Sequence, residues 1–448
     1  MSVVKTSPSA AETKLAADYS GVRAALPGNA AVGHLRDAAF DHFKQAGLPT
    51  RRVEAWHYTD LRVAMRDALP VAAESKSDAA HKQRVETHAP RMADVETVRL
   101  VMVDGFFVAE LSDVARLPKG VSVMSLADAL VKGDASVIEA LSAPGMGQGD
   151  AALALNTAFM QGGVLIDVAP HTDVATALEL VSISSGAAAQ SIYARSLLRV
   201  GTGAKLTLIE REASDMSETQ QRNNALVVTV ADEAHVEHVF VPAPLSAGST
   251  HVASMLVTLG AKAQFNSFTL TLGGGLLRRQ VFMRFDGEYA KGHLAGATLL
   301  QGKDHADTTL VVEHVAPHCI SREYFKTVLD GDATGVYQGK VIVAPGAQKT
   351  DGAMKSHAIL LSDGATMNNK PELEIFADDV VCGHGATVAQ LDEDQIFYAM
   401  ARGLPKAVAQ SMLLEAFVDE ATDRVESEPV RVFLTGLIAQ WLKARGLA

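Results

Sequence analysis

Cys382 and His384 stand two positions apart in the stretch Pro371-Glu-Leu-Glu-Ile-Phe-Ala-Asp-Asp-Val-Val-Cys-Gly-His-Gly-Ala-Thr387. The stretch opens with alternating apolar and polar residues, the mark of a strand with one buried face. On an extended backbone residues i and i+2 project to the same side, so the thiol and imidazole would face one partner together. Gly383 and Gly385 flank the imidazole and leave room for another backbone or a ligand. Thiolate plus imidazole is metal-ligand chemistry. The same spacing also occurs as a tight turn around a buried thiol, and spacing alone does not choose between them.

Other constellations carry less. Glu313-His-Val-Ala-Pro-His-Cys319 places two histidines and a thiol within a few residues, but Pro317 breaks the helix that would bring His314 and His318 to one face. A buried turn is expected there, and Asp304-His-Ala-Asp307 is suggestive without further support. In Ala344-Pro-Gly-Ala-Gln-Lys-Thr350, Gln348 occupies the place where a phosphate loop needs glycine, so ATP binding by this chain is not expected. Gly145-Met-Gly-Gln-Gly149 follows no strand and misplaces its third glycine, and reads as a turn. Asp378 and Asp379, read as adjacent strand residues, would point to opposite faces and could not flank one glycosidic bond. Neither Gly-x-Ser-x-Gly nor His-Glu-x-x-His occurs. No catalytic residue and no autonomous enzyme are expected.

Composition narrows the classes further. Only two cysteines, Cys319 and Cys382, are present, which excludes a disulfide framework and a self-contained four-cysteine cluster or zinc site. Any all-thiolate cluster chemistry must therefore borrow ligands from another chain. A formal net charge of −12 argues against nucleic acid as a partner. The opening Met-Ser-Val-Val-Lys-Thr-Ser-Pro has no apolar leader core, and the apolar run Val432 to Leu442 is too short to span a bilayer. A cytoplasmic protein with no membrane partner is expected.

The run Ala377-Asp-Asp-Val-Val-Cys-Gly-His-Gly-Ala-Thr387 resembles the signature of the SufB/SufD family, which builds iron–sulfur clusters. Gly339-Lys-Val-Ile-Val343, Ala347-Gln-Lys-Thr-Asp351 and Pro371-Glu-Leu-Glu-Ile375 stand in that family's order and spacing. Arg51-Arg-Val-Glu-Ala-Trp-His-Tyr-Thr59, which on its own reads as a packing anchor around Trp56 and Tyr58, resembles the family's N-terminal Glu-x-Trp-x-Tyr-Thr motif. The few cysteines, the Cys-x-His pattern and the length place the resemblance on the SufD-like side. Met354, where many relatives have Gln, and Tyr193-Ala-Arg195, in place of a His-containing turn, depart from the pattern.

The resemblance implies a scaffold subunit whose core is a right-handed parallel β-helix. It implies that His384 faces a SufB-like paralogue at a nascent iron–sulfur cluster site, with Cys382 in a supporting role. It also implies pairing through the end of the β-helix, a SufC-like ATPase docked on the C-terminal helices, and a cluster held transiently with no permanently bound cofactor. The alternatives are a SufB-like homodimeric scaffold and a β-helix carbohydrate-active enzyme.

The residues must be positioned by three expected regions. Residues 1–95 read as helical, with Leu35, Ala39 and Phe43 on one helix face and a mobile connection from Ala73 to about Pro90. Residues 96–392 read as a mainly β core. Within it Val98–Val103 and Phe106–Leu111 form a hairpin, and a helical insertion lies near 126–159. A phrase of a turn, Ala, one residue and often an apolar residue recurs at Ala204, Ala234, Ala263, Ala333 and Ala365, with spacings of 30, 29 and 32 within the runs. A period near 30 without intervening helices favours a β-solenoid, which only stacking can bury. Residues 393–448 read as three short amphipathic helices, with Asp392 as N-cap and Met412, Leu413, Ala416 and Phe417 on one face. Such helices would cap the solenoid's open end or offer a docking face.

Overall fold

A computed structural model describes residues 7–74, 78–142, 145–186 and 188–445. Residues 1–6 of the stretch read for a leader, 75–77 of the expected connection and 143–144 of the expected insertion lie outside the described residues.

Helix α1 (Ala10–Val22) starts at a reciprocal cap: Ser9 accepts from the Glu12 amide, and the Glu12 carboxylate accepts from the Ser9 amide. Helix α2 (Ala30–Ala46) ends at Gly47 and buries Val32, Arg36, Phe40 and Phe43, a face rotated slightly from the expected stripe. A short helix α3 (Leu61–Ala64) follows. The mobile connection is corrected to a helix, α4 (Ala79–His88). Asp78 and His81 cap each other's backbone, and Val85 packs with Val101 and Val181. Strand β1 (Thr97–Val103) turns at Asp104-Gly105 into β2 (Phe106–Phe107), a hairpin much shorter than expected because the chain tightens into a 3-10 turn at Ala109–Leu111. Strand β3 (Val121–Ser125) leads into the insertion, helices α5 (Leu126–Lys132), α6 (Ala135–Ser142) and α7 (Ala151–Phe159).

A parallel β-solenoid of about eight coils follows, mostly β as expected. The coils pair β4 (Val164–Val168) with β5 (Ala177–Ile183), β6 (Gln190–Val200) with β7 (Lys205–Ala213), and β8 (Gln220–Val230) with β9 (His235–Val241). Then come β10 (Thr250–Leu259) with β11 (Gln264–Leu272), and β12 (Leu276–Phe285) with β13 (Lys291–Leu300). The last three are β14 (His305–His314) with β15 (Ile320–Leu329), β16 (Thr334–Val343) with β17 (Asp351–Leu360), and β18 (Thr366–Ile375) with β19 (Val381–Ala389). Even-numbered strands from β4 stack into one sheet and odd-numbered strands from β5 into the other, each in parallel register.

One corner explains the period. Glu233, Lys262, Tyr289, His318 and Lys349 each adopt positive φ, and each donates its amide to a carbonyl of the next coil. The following corner position is Ala234, Ala263, Ala290 and then Cys319, all fully buried. A small side chain is needed there because it turns under the stacked coils, and Cys319 takes the place of an alanine. Ala333 and Ala365 belong to the opposite corner, ahead of β16 and β18, so the recurring phrase marks two different turns.

Alternation along each strand sends one set of side chains into a shared lumen. Leu226, Val257, Phe265, Phe285, Leu310 and Val343 are part of that single apolar column. The outer face of the even-strand sheet is covered by α1, α2 and α5–α7. The outer face of the odd-strand sheet is covered by the C-terminal helices α9 (Lys406–Thr422) and α10 (Glu428–Ala444), which follow α8 (Glu393–Met400). In α9 the buried face is Leu414, Val418 and Ala421, while Met412 points outward, a correction to the expected stripe. The helices therefore lie along the solenoid's side and leave its last coil uncovered. No helix among the described residues is long and apolar enough to cross a membrane.

Candidate functional site at the open end

Strands β18 and β19 form the last coil, and each is the outermost strand of its sheet. Among the described residues their outer backbone edges have no partner strand. Exposed apolar side chains cluster around them: Val381 is 73% exposed and Phe376 62%.

Cys382 pairs in register with Gly352 of β17, and His384 with Met354. Met354 is buried in the lumen cluster, so the alternation places both Cys382 and His384 on the lumen side of the last coil. They share one face, as their spacing predicts. The Cys382 thiol is half-buried against the lumen and burial pushes it up, with the nearby Asp351 and Glu323 charges adding to the rise. The His384 side chain is exposed and makes no hydrogen bond among the described residues. A Cβ added at Gly383 or Gly385 would meet nothing within 4 Å, so the room beside the imidazole opens away from this chain.

Behind the pair lies a residue that motif reasoning missed. Glu323 is in register with Met354 and faces the lumen one coil further in. It is 1% exposed, and among the described residues neither carboxylate oxygen has a hydrogen-bond partner. Burial pushes its carboxyl up to about 8, so it is held protonated at neutral pH. The Tyr337 hydroxyl, also without a partner, is raised by burial and by Glu323. The alternation of Ser321-Arg-Glu-Tyr-Phe325 was the available signal, since it puts Glu323 on the same side as Phe325.

The remaining candidates resolve into structure. His314 stacks on Phe285 with ring centroids 4.3 Å apart, His318 stacks on Tyr289 at 4.6 Å, and the Cys319 thiol donates to the Gly287 carbonyl at 3.2 Å. No metal-holding group of three or more His, Cys, Asp or Glu occurs among the described residues. Asp307 receives Arg278 at 2.5 Å and the Thr59 hydroxyl, and His305 meets the same hydroxyl at 2.9 Å. Trp56 is buried, donates to Asp150 at 2.9 Å and carries Arg278 over its ring at 3.9 Å. The tryptophan motif thus anchors the N-terminal segment to the solenoid. Asp378 and Asp379 lie in a bend between β18 and β19 and are not strand residues, and Asp379 pairs with Lys349. The phosphate-like loop at 344–350 is a solenoid corner, its Lys349 amide bonded to the Asp379 carbonyl.

A second exposed surface lies on α8 and the start of α9. Phe397 is 73% exposed and Tyr398 60%, with Met400 and Met412 also exposed. That is unusual for large apolar side chains, which single positions tolerate but clusters seldom do without a partner.

Residues 12–180 match the SufBD protein N-terminal region, and residues 182–417 match the SUF system FeS cluster assembly SufBD core domain. The chain is 31% identical over 412 residues to the iron–sulfur cluster assembly protein SufD of Escherichia coli, covering 90% of this chain and 92% of that protein. It is 28% identical over 401 residues to an iron–sulfur cluster assembly SufBD family protein of Synechocystis, covering 87% and 86%. It is also 29% identical over 212 residues to the chloroplastic protein ABCI7 of Arabidopsis thaliana, covering 47% and 44%. With both regions matched in order and a solenoid ending in Cys382 and His384, the chain belongs to the SufBD family of iron–sulfur cluster assembly proteins.

Proposed function

We propose that this chain is a scaffold subunit for iron–sulfur cluster assembly and not an enzyme in its own right. It pairs with a SufB-like chain through the last coil and contributes His384, supported by Cys382, to a cluster site that neither chain completes alone. The observation that carries this reading is the placement of both side chains on the lumen side of a coil whose two edge strands lack an outer partner among the described residues. Imidazole is a competent iron ligand and thiolate a better one, but two donors cannot complete a tetrahedral set. The raised thiol keeps Cys382 protonated until a metal displaces the proton, which makes exposed His384 the readier first ligand.

In this reading the cluster is cargo, held transiently and passed on. Phe397, Tyr398, Met400 and Met412 form the docking surface for a SufC-like ATPase, and the assembly works in the cytoplasm. The test is anaerobic reconstitution of the co-purified heteromer with iron and sulfide, followed by visible absorption. His384→Ala should leave the heteromer assembled and strongly reduce cluster yield, and Cys382→Ala should reduce it less. Wild-type yield from an assembled His384→Ala heteromer would overturn the shared site. A chain that associates only with its own copies would instead favour a homodimeric scaffold.

A further inference from the structure

On the outer face of the even-strand sheet one register column runs Leu165, Leu197, Val227, Leu256, Phe282, Val311, Lys340 and Glu372 from the first coil to the last. The first four are buried under α5–α7, and Phe282 packs against the edge of that cluster. Val311 belongs to no such cluster, so the apolar column outruns its cover before it turns polar. At that point the structure has a cavity of about 620 Å³, roofed by residues 46–56 and 145–151. Its size is that of a small-molecule site, on the order of 300–1,000 Å³.

The roof is fixed in place. Arg278 and Gln338 donate to the Ala55 carbonyl at 2.7 and 3.2 Å, Trp56 is tied to Asp150, and Glu54 pairs with Lys370 on β18. Gly147 adopts φ 62°, and a Cβ there would approach Phe282 to 3.3 Å, so the glycine turn passes directly over the floor.

Charge selects the ligand. Lys340 is neutralised by Glu374 at 2.6 Å, Lys370 by Glu54 and Glu372, and Arg284 by Asp286 at 2.6 Å. Asp150 caps the start of α7, accepting from the Leu153 amide at 2.8 Å, so that helix end is no anion site. Glu313 lines the same floor, partly buried, and among the described residues its side chain makes neither a hydrogen bond nor an ion pair. A partly desolvated, unpaired carboxylate beside apolar surface favours a cation that brings its own apolar body. We propose that this cavity binds a small amphipathic cation, with an aromatic or alkyl body on Phe282 and Val311 and its positive group against Glu313. The glycine turn that superficially suggests a nucleotide loop is then the roof of a site with the opposite charge preference.

The proposal is independent of the cluster-assembly reading and is tested on the full chain with two dyes, cationic thioflavin T and uncharged Nile red. Both should bind the wild type saturably with one site. Glu313→Gln should weaken thioflavin T about tenfold or more and leave Nile red unchanged, and Val311→Trp should remove both. Should Val311→Trp fail to fold, Ile342→Trp closes the same floor one coil further on. Unchanged thioflavin T affinity in Glu313→Gln overturns the charge assignment. Retention of both dyes by a folded floor-filling variant, or their loss in Phe397→Ser/Tyr398→Ser, places binding elsewhere and overturns the proposal.

Discussion

His384 stands in register with Met354, the buried lumen residue of the neighbouring coil, and Met354 in turn stands in register with Glu323. The exposed imidazole therefore has an apolar floor, and beyond that floor a carboxyl held without partners. This order separates the candidate ligand from the neutral carboxyl behind it and makes the two separately testable.

Glu323 should limit stability at alkaline pH. Its folded value of about 8 lies above the ordinary 4.5, so between those pH values the folded chain binds more protons than the unfolded one. Stability from this group is fully present below the ordinary value and falls as pH rises through the folded one, at up to about 1.4 kcal/mol per pH unit. Glu323→Gln should match the wild type at pH 5 and melt a few degrees higher at pH 8.5. Equal melting temperatures at both pH values would show that the carboxyl finds a partner in solution.

The exposed α8 surface should matter for docking and not for folding. Deleting the C-terminal helices would not separate the two, because Leu414, Val418, Leu434 and Ile438 are buried against the solenoid. Phe397→Ser/Tyr398→Ser should leave the melting temperature within about 2 °C of wild type, as solvent-exposed substitutions do. The same variant should abolish pull-down of a SufC-like ATPase. Undiminished capture would exclude this face as the docking site.

Leu434 tests whether α10 is part of the fold. It is fully buried in the cluster that joins α9 and α10 to the odd-strand sheet. Leu434→Ala should cost about 2–5 kcal/mol in denaturant unfolding, the usual range for a buried leucine. A loss under about 1 kcal/mol would mean that the helices dock loosely.

Val381 tests the open edge. It is largely exposed on β19, so a charge there costs the isolated chain little but would be buried by a pairing strand. Val381→Asp should leave the monomer's stability unchanged and weaken association with a SufB-like chain at least tenfold, read by titration calorimetry. Unchanged affinity would move the interface away from this coil.

The solenoid was legible in the sequence because its causes are local. Each coil from β6–β7 to β16–β17 repeats a tight corner with a residue at positive φ, then a small buried residue, then a strand whose alternation sorts lumen from surface. Those features recur near every 30 residues and need no knowledge of distant contacts, and Cys382 and His384 fall on one face for the same reason. What only the tertiary structure decided are relationships between segments far apart in the chain. Amphipathic stripes announce that the C-terminal helices must bury one side, but whether they cap the end or lie along β11, β13 and β15 depends on which surfaces fit. That choice leaves the last coil open and His384 exposed. Glu323 carries no motif, and its raised carboxyl exists only because coils stacked on both sides exclude water. The cavity over Phe282 and Val311 is likewise made by three separate stretches of chain, so no single stretch could have foretold it.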